Sequence, residues 1–244
     1  MSSINKNITE KNIVILSEDE KSFSLYFEKF MQLKRFNPHK NIEHNINYKI
    51  KGFDKFKYEK HFVKTIASKQ LKLKIVLLAP SNHNSKDFIK YSLKLTEINN
   101  KKIDKIFCVF DWVSKAQKDE HNNYLEAISR REQLRKKNIE IIESVLSYEF
   151  WLVAHFSNSS KPFRTNDEVI KNLEDEYKKK FKKEKKYEKG SKEFLEKIVD
   201  EKMIKNAINN TKKLDKDHNE THSKDFNPSS KIYKLIEFFN DQII

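Results

Sequence analysis

Four short apolar runs, separated by helical patterns, constrain this chain most. The runs are residues 12–17, 71–79, 104–111 and 138–143. Each run is short and rich in Ile or Val, which predicts a buried strand. The stretches between them have apolar spacings of about 3.6 residues and predict helices at residues 19–35, 85–99 and 121–137. Because alternating strands and helices form crossover units, we expect an α/β fold with a mainly parallel central sheet of about four strands flanked by helices.

The pattern changes on either side of this alternation. Residues 36–70 interrupt it and look like an insertion of undetermined structure. From residue 147 onward no strand is predicted, and helices are expected at residues 147–156, 166–189, 192–213 and 228–240. The polar residues 215–225 are expected to be mobile. We therefore predict an α/β domain at residues 1–156 and a helical extension at 157–244 that packs on it.

Two helix starts carry capping signals. Ser17 and Glu20 are three positions apart, which predicts a capping box at the start of the first helix. Asn227 followed by Pro228 predicts an N-cap and first helical turn for the last helix.

Composition narrows the class of protein. Of 244 residues, 37% are hydrophobic and 35% are charged, so the core is expected to be modest. No apolar run approaches the roughly 18 residues of a membrane span, and residues 1–12 lack the apolar stretch of an export signal. We therefore expect a cytoplasmic protein with no membrane partner. The single Cys108 excludes disulfides within the chain and lies in an apolar run, which predicts a buried small side chain.

The formal net charge of +14 suggests a nucleic-acid partner. Residues 177–192 hold nine Lys and two Glu, half of that net charge, and a solvated face is the favoured interpretation over a phosphate-binding one. Three of the five arginines, Arg130, Arg131 and Arg135, fall within six positions. Because guanidinium groups grip phosphates in a fork, this helix is the better nucleic-acid candidate, with a solvated face as the equal alternative.

Acidic residues follow three of the predicted strands. Glu18 follows the first strand, Asp111 ends the third, and Glu149 comes after the fourth. Ligands of open parallel sheets collect at the carboxyl ends of the strands, so these side chains are expected to converge. Two carboxylates about 4 Å apart repel by about 4 kcal/mol at an effective dielectric of 20, which favours a bound Mg²⁺ or Mn²⁺. The alternative is that Glu18, Glu20 and Glu149 only offset helix dipoles.

Four segments resemble motifs of RloB-like proteins. They are ILSEDEKS at 15–22 with Tyr26 and Phe27, VFD at 109–111, SYEFWL at 147–152 with His155 and Phe156, and NPSS at 227–230. The resemblance covers nearly the whole chain apart from the insertion. It implies a Toprim-like fold, a link to restriction loci and phage defence, and an AAA- or ABC-type ATPase partner of the RloA or AbiLi kind.

The resemblance also implies site residues. Glu18 and Asp111 match the positions that hold Mg²⁺ or Mn²⁺ in Toprim enzymes. Two expected acids are replaced, by Phe23 in the first motif and by Val113 after the third strand, which weakens the implied metal site. Either Asp119 or Glu120 could restore a ligand, and Glu149 could serve as the missing carboxylate. Lys21 is a candidate for neutralising phosphate, with an ordinary ion pair as the alternative.

Three functions are consistent with these features. The first is a defence effector that cleaves RNA, including tRNA, or DNA with a divalent cation and works with an ATPase. The second is a catalytically degenerate Toprim-like module that binds an ATPase or a phage trigger. The third and weakest is a nucleotide-binding protein, for which the sequence has no Walker motif or glycine-rich phosphate loop. A homodimer is left open.

Overall fold

A computed structural model describes residues 8–39, 47–50, 55–80, 84–100, 102–111, 118–220 and 227–243. The strands are β1 (Thr9–Ser17), β2 (Asn37–His39), β3 (Phe56–Ile66), β4 (Leu71–Pro80), β5 (Lys105–Asp111), β6 (Ile139–Val145) and β7 (Ser229–Ser230). The helices are α1 (Ser22–Leu33), α2 (Ser85–Asn99), α3 (Lys118–Ser129), α4 (Arg131–Arg135), α5 (Glu149–Ala154), α6 (Asn166–Phe181), α7 (Lys192–Ile198), α8 (Glu201–Glu220) and α9 (Ile232–Ile243). No helix among these described ranges is both long and apolar enough to cross a membrane.

The strands form one sheet in the order β2-β3-β4-β1-β5-β6-β7. The four central strands, β4, β1, β5 and β6, are parallel to one another, and they are the four that the apolar runs predict. The predicted α/β class is confirmed. The sheet is larger than four strands because antiparallel strands extend both edges.

The insertion at residues 36–70 supplies one of these edges. It contains β2 and β3, and β3 pairs with β4 along nearly its whole length. Exposed and partly buried residues alternate in the first half of β3, where Lys57 and Glu59 are exposed. A half-exposed edge strand lacks the continuous apolar run that marks the central strands, so the sequence left its structure undetermined.

The other edge corrects the prediction that no strand follows residue 147. Ser229 and Ser230 pair with β6 as β7, and the hydroxyls of Ser230 and Ser144 lie 3.0 Å apart. A strand of two serines has neither an apolar run nor an alternating pattern, so nothing in the sequence predicts it.

The helix start after β1 differs from the predicted capping box. The carboxylate of Asp19 accepts hydrogen bonds from the backbone N–H groups of Lys21 at 2.7 Å and Ser22 at 2.5 Å, so Asp19 caps α1. The hydroxyl of Ser17 instead bonds to the backbone of Asp19, and Glu20 forms an ion pair with Lys57 at 3.0 Å. The capping side chain is therefore two positions later than predicted, within the run of three acidic residues 18–20.

The start of the last helix also differs from the prediction. Asn227 pairs with the backbone of Phe163, to which its amide donates at 2.6 Å and from which it accepts at 3.3 Å. Pro228 precedes β7, and α9 begins only at Ile232. The Asn-Pro pair therefore ties the chain to a distant loop instead of capping a helix.

Three predicted helices end or break earlier than expected. The helix at 121–137 divides at Arg130, and the one at 192–213 divides before Asp200, whose carboxylate caps α8. The third, α6, ends at Phe181 because Lys182 adopts a φ of 55°. In contrast, α8 continues to Glu220 and includes residues 215–220 of the segment that was expected to be mobile. In this part Asp215 is buried, and its carboxylate accepts a hydrogen bond from the hydroxyl of Tyr233 at 2.7 Å. Residues 221–225 lie outside the described ranges.

Core side chains cover both faces of the sheet. Ile13 and Ile15 of β1 pack with α1 and the helices from α5 onward, whereas Val14 and Leu16 pack with α2, α3 and α4. Each fully buried side chain of this size stabilises the fold by about 1.5–3 kcal/mol. Cys108 lies in the second core, and burial raises the pKa of its thiol to about 12, as expected of a buried, unreactive side chain.

His155 is buried in the first core. Its Nδ1 lies 2.9 Å from the carbonyl oxygen of Trp151, and its Nε2 lies 3.0 Å from the hydroxyl of Tyr26. With Nδ1 donating to the carbonyl, Nε2 accepts from Tyr26, which is the arrangement of a neutral ring. Burial lowers the pKa of His155 from 6.5 to about 4.

This burial predicts a loss of stability in mild acid. Between its unfolded pKa of 6.5 and its folded pKa of about 4, His155 binds a proton in the unfolded chain only, so stability falls as the pH drops. The loss from this group between pH 7 and pH 5 is about 2 kcal/mol. Urea unfolding at both pH values should show that His155→Gln is less pH-dependent than the wild type by this amount. Equal pH dependence in both proteins would contradict the assignment.

Candidate active site

A cavity of about 370 Å³ opens where β1, β5 and β6 end. The parallel register brings residues of three strands to this cavity: Ser17 of β1 pairs with Val109 of β5, and Asp111 of β5 pairs with Ser144 of β6. The lining residues are Ser17, Glu18, Asp19, Glu20, Lys21, Phe23, Val109, Phe110, Asp111, Ser144, Tyr148, Lys189 and Ile232. Acidic groups at this edge therefore come from separate strands, as a parallel sheet predicts.

Glu18 and Asp111 are neighbours in this cavity. The backbone N–H of Glu18 donates to the carbonyl of Val109 at 3.0 Å, which extends the β1–β5 ladder by one residue. The backbone N–H of Asp111 in turn donates to the carboxylate of Glu18 at 3.2 Å. The structure thus brings two acidic residues that are 93 positions apart to one cavity, where the charge of Glu18 contributes to raising the pKa of Asp111.

Glu149 is fully buried at the start of α5 and is not among the lining residues. Its Oε1 accepts from the hydroxyl of Tyr187 at 3.4 Å and lies 3.6 Å from the ammonium of Lys189. Its Oε2 makes no hydrogen bond with any described residue. Because an uncompensated buried carboxylate oxygen is costly, Glu149 is the least satisfied acid of this region.

Crowding of acids shifts their protonation. Burial, followed by the negative charges of Glu149 and Glu18, raises the pKa of Asp111 well above its usual range. Burial also raises the pKa of Asp19, although the charge of Lys189 opposes the shift. A cation placed among these groups would relieve the repulsion and restore the charged forms.

Lys189 is a cavity residue that the sequence analysis missed. It belongs to the lysine-rich stretch assigned to a solvated face, yet it lines the cavity beside Glu18 and Asp111. Burial alone would lower the pKa of Lys189, but the charges of Glu149, Asp19 and Asp111 raise it on balance. The next residue, Gly190, has a φ of +84° and packs against the side chain of Lys21. One of only two glycines, it was the available signal that the chain turns here.

The remaining candidate ligands are placed differently. Phe23 is fully buried on the cavity wall, with its ring centroid 5.8 Å from that of Tyr148 in an edge-on contact. Asp119 is exposed at the start of α3 and is not among the lining residues. Val113 and the side chain of Glu120 lie outside the described residues.

None of the three clustered arginines lines the cavity. Arg131 forms an ion pair with the buried Glu143 at 2.6 Å, and Arg135 pairs with Glu132 at 2.7 Å. Arg130 is partly exposed at the break between α3 and α4. Two of the three guanidinium groups thus already have carboxylate partners.

The donor set suits a hard cation that keeps much of its water. Across the ranges that the structure describes, no three His, Cys, Asp or Glu side chains are arranged to hold a metal ion. Mg²⁺ is commonly held by only one or two carboxylates together with waters and substrate phosphates. Glu18 and Asp111 meet that requirement, and the unbonded Oε2 of Glu149 leaves one further oxygen nearby.

Comparison with known proteins places the chain in a described family. The family model for RloB-like protein matches residues 13–239. The match extends from β1 into α9 and includes every residue that lines the cavity. A search of curated proteins found no match.

Replacing Asp111 should stabilise the protein when no divalent cation is present. Asp111→Asn removes one of the crowded negative charges, which should raise stability at pH 7 by on the order of 1 kcal/mol, or about 2–4 °C in Tm. Because the folded protein binds a proton at Asp111 more readily than the unfolded chain does, the gain should shrink as the pH falls. Thermal unfolding in EDTA checks this, with the exposed Glu97→Gln as control. A lower Tm for Asp111→Asn at pH 7 would count against like-charge crowding.

Proposed function

The chain belongs to the RloB-like family, and from that premise we propose that it is an anti-phage defence effector that hydrolyses phosphodiester bonds of nucleic acid with Mg²⁺ or Mn²⁺. The observation that carries the proposal is that Glu18 and Asp111 line one cavity, with the Glu18 carboxylate 3.2 Å from the backbone nitrogen of Asp111. Two carboxylates at the carboxyl edge of a parallel sheet are suited to hold such an ion.

The residues in and around the cavity would have different roles in hydrolysis. Glu18 and Asp111 would hold the ion, which when bound supplies a more acidic water and stabilises charge on the phosphoryl oxygens. Lys21 and Lys189 line the same cavity and would neutralise the phosphate charge that builds up during hydrolysis. Glu149 lies 3.6 Å from the ammonium of Lys189, and the carboxylate of Asp19 accepts from the backbone N–H of Lys21, the residue before α1.

The substrate and the partner are further parts of the proposal. RNA, including tRNA, is the favoured substrate and DNA the alternative. An AAA- or ABC-type ATPase of the RloA or AbiLi kind would restrain or trigger the activity. A toxic effector needs such control, which makes the partner part of any assay.

Cleavage should depend on both carboxylates. With Mg²⁺ or Mn²⁺, the purified protein should cut total RNA, tRNA or plasmid DNA, alone or with the ATPase. Glu18→Gln and Asp111→Asn should each lower the rate by about 100-fold or more because each removes a ligand charge. Glu97→Gln on α2 is a matched control that should retain full activity. Gel assays read the products.

Two results would contradict this proposal. Cleavage that persists in Glu18→Gln would place the chemistry elsewhere or reveal a contaminant. No cleavage of any substrate by the protein with its ATPase would remove the hydrolase assignment.

The second candidate is a Toprim-like module without catalysis that binds an ATPase or a phage trigger. Phe23 favours it, because an apolar ring stands on the cavity wall where the family's motif has an acid. Calorimetric titration with Mn²⁺ separates the two functions. Binding that Glu18→Gln weakens supports the hydrolase, whereas no Mn²⁺ binding together with a stable ATPase complex supports the module.

A further inference from the structure

The lysine-rich segment of residues 177–192 contains two kinds of lysine. Three are held by carboxylates: Lys178 contacts Glu184, Lys179 lies 2.7 Å from Glu176, and Lys185 contacts Glu193. Four others are exposed and form no ion pair with any described residue; they are Lys180, Lys182, Lys183 and Lys186. The segment therefore presents positive charge that the structure does not neutralise.

The backbone fixes where this charge lies. With α6 ended at Phe181, residues 182–191 cross the surface outside any helix. Tyr187 anchors them: its side chain is buried, its hydroxyl donates to Ser22 at 2.8 Å, and its backbone N–H donates to Glu174 at 2.7 Å. A continuous helix would spread these lysines around its circumference, whereas in this segment Tyr187 is buried and Lys182, Lys183 and Lys186 are exposed.

The same segment leads into the cavity. Lys186 and Lys189 flank the Tyr187 anchor, and Lys189 is a lining residue. The step from Lys182 to Lys189 can span at most about 24 Å, an upper limit that equals about seven nucleotides at the ~3.4 Å rise of a duplex strand. Exposed lysines thus lie on both sides of Tyr187 between α6 and the cavity, with Glu184 and Glu188 among them, and Lys189, which also pairs with Glu149, is the one that lines the cavity.

We infer that Lys180, Lys182, Lys183, Lys186 and Lys189 form a track that binds the phosphate backbone of nucleic acid and leads it to Glu18 and Asp111. The inference deepens the proposed function and rests on it. Lysine ammonium groups act as point charges and read no bases, so the track selects a polyanionic strand and not a sequence. The positive charge of residues 177–192, which the sequence analysis interpreted as a solvated face, would then bind the phosphates of a nucleic acid.

Equilibrium binding in EDTA tests the track without any cleavage. The probes are fluorescein-labelled 20-nucleotide single strands of one sequence, as RNA and as DNA, measured by anisotropy at several salt concentrations. Replacing Lys182, Lys183 and Lys186 with Gln should weaken binding by about tenfold or more at low salt. The slope of log K against log salt should become shallower by about two, since each contact with a single strand contributes about 0.7.

A matched variant controls for net charge. Lys94→Gln, Lys136→Gln and Lys137→Gln remove three exposed lysines on α2 and after α4, so both triple variants lower the formal charge from +14 to +11. This control should bind nearly as well as the wild type. All six residues are exposed, so equal Tm values would show that folding is intact.

The outcomes separate the track from the hydrolase. Equal binding by the two triple variants, or no binding by the wild type, overturns the track even if cleavage is found. A larger loss in the control also overturns it and points to the arginine-bearing helix α4. Specific loss in the track variant without any cleavage supports the track and removes the hydrolase. Tighter binding of RNA than of DNA would identify RNA as the strand it carries.

Discussion

The parallel pairing of β1 with β5, and of β5 with β6, is the constraint on which the site depends. Because these strands run in the same direction, their carboxyl ends meet at one edge, and the residue after each strand is delivered there. The register decides which residues meet: Ser17 opposite Val109 places Glu18 within reach of the backbone of Asp111. A shift of one residue would turn these side chains to the other face.

Acidic side chains are brought close together in and around the cavity, and burial removes part of their contact with water. Asp19 accepts from backbone donors at the start of α1, and Glu18 accepts from the backbone of Asp111. In contrast, burial and neighbouring charges raise the pKa of Asp111, and Oε2 of Glu149 has no hydrogen bond among the described residues. Phe23 and Tyr148 add apolar surface beside them. An environment of this kind strengthens every electrostatic interaction with an incoming cation or phosphate. The crowding that raises the pKa of Asp111 therefore also favours binding of a cation.

The sequence predicted the elements that are marked by continuous apolar runs or by a regular spacing of apolar residues. The four central strands are continuous apolar runs, so the α/β class and the edge where Glu18 and Asp111 meet could be read directly. Features that rest on single contacts escaped: β7 is two serines, the capping carboxylate is Asp19, and Lys189 reaches the cavity through a turn at Gly190. Composition could not separate Lys189 from its neighbours, because the anchor Tyr187 contacts Ser22, 165 positions away.

The hydroxyl of Tyr187 connects the lysine-rich segment at the surface to the buried carboxylate of Glu149. The two side-chain contacts that the structure describes for Glu149, from Tyr187 and Lys189, both come from the anchored segment. A phenol has a single proton, so Tyr187 can direct it fully to Ser22 at 2.8 Å or to Glu149 at 3.4 Å, but not to both. Lifting this segment would strip Glu149 of both contacts at once, a penalty of about 1–3 kcal/mol or more. Burial of Glu149 thus favours the conformation in which residues 187–189 stay packed against it.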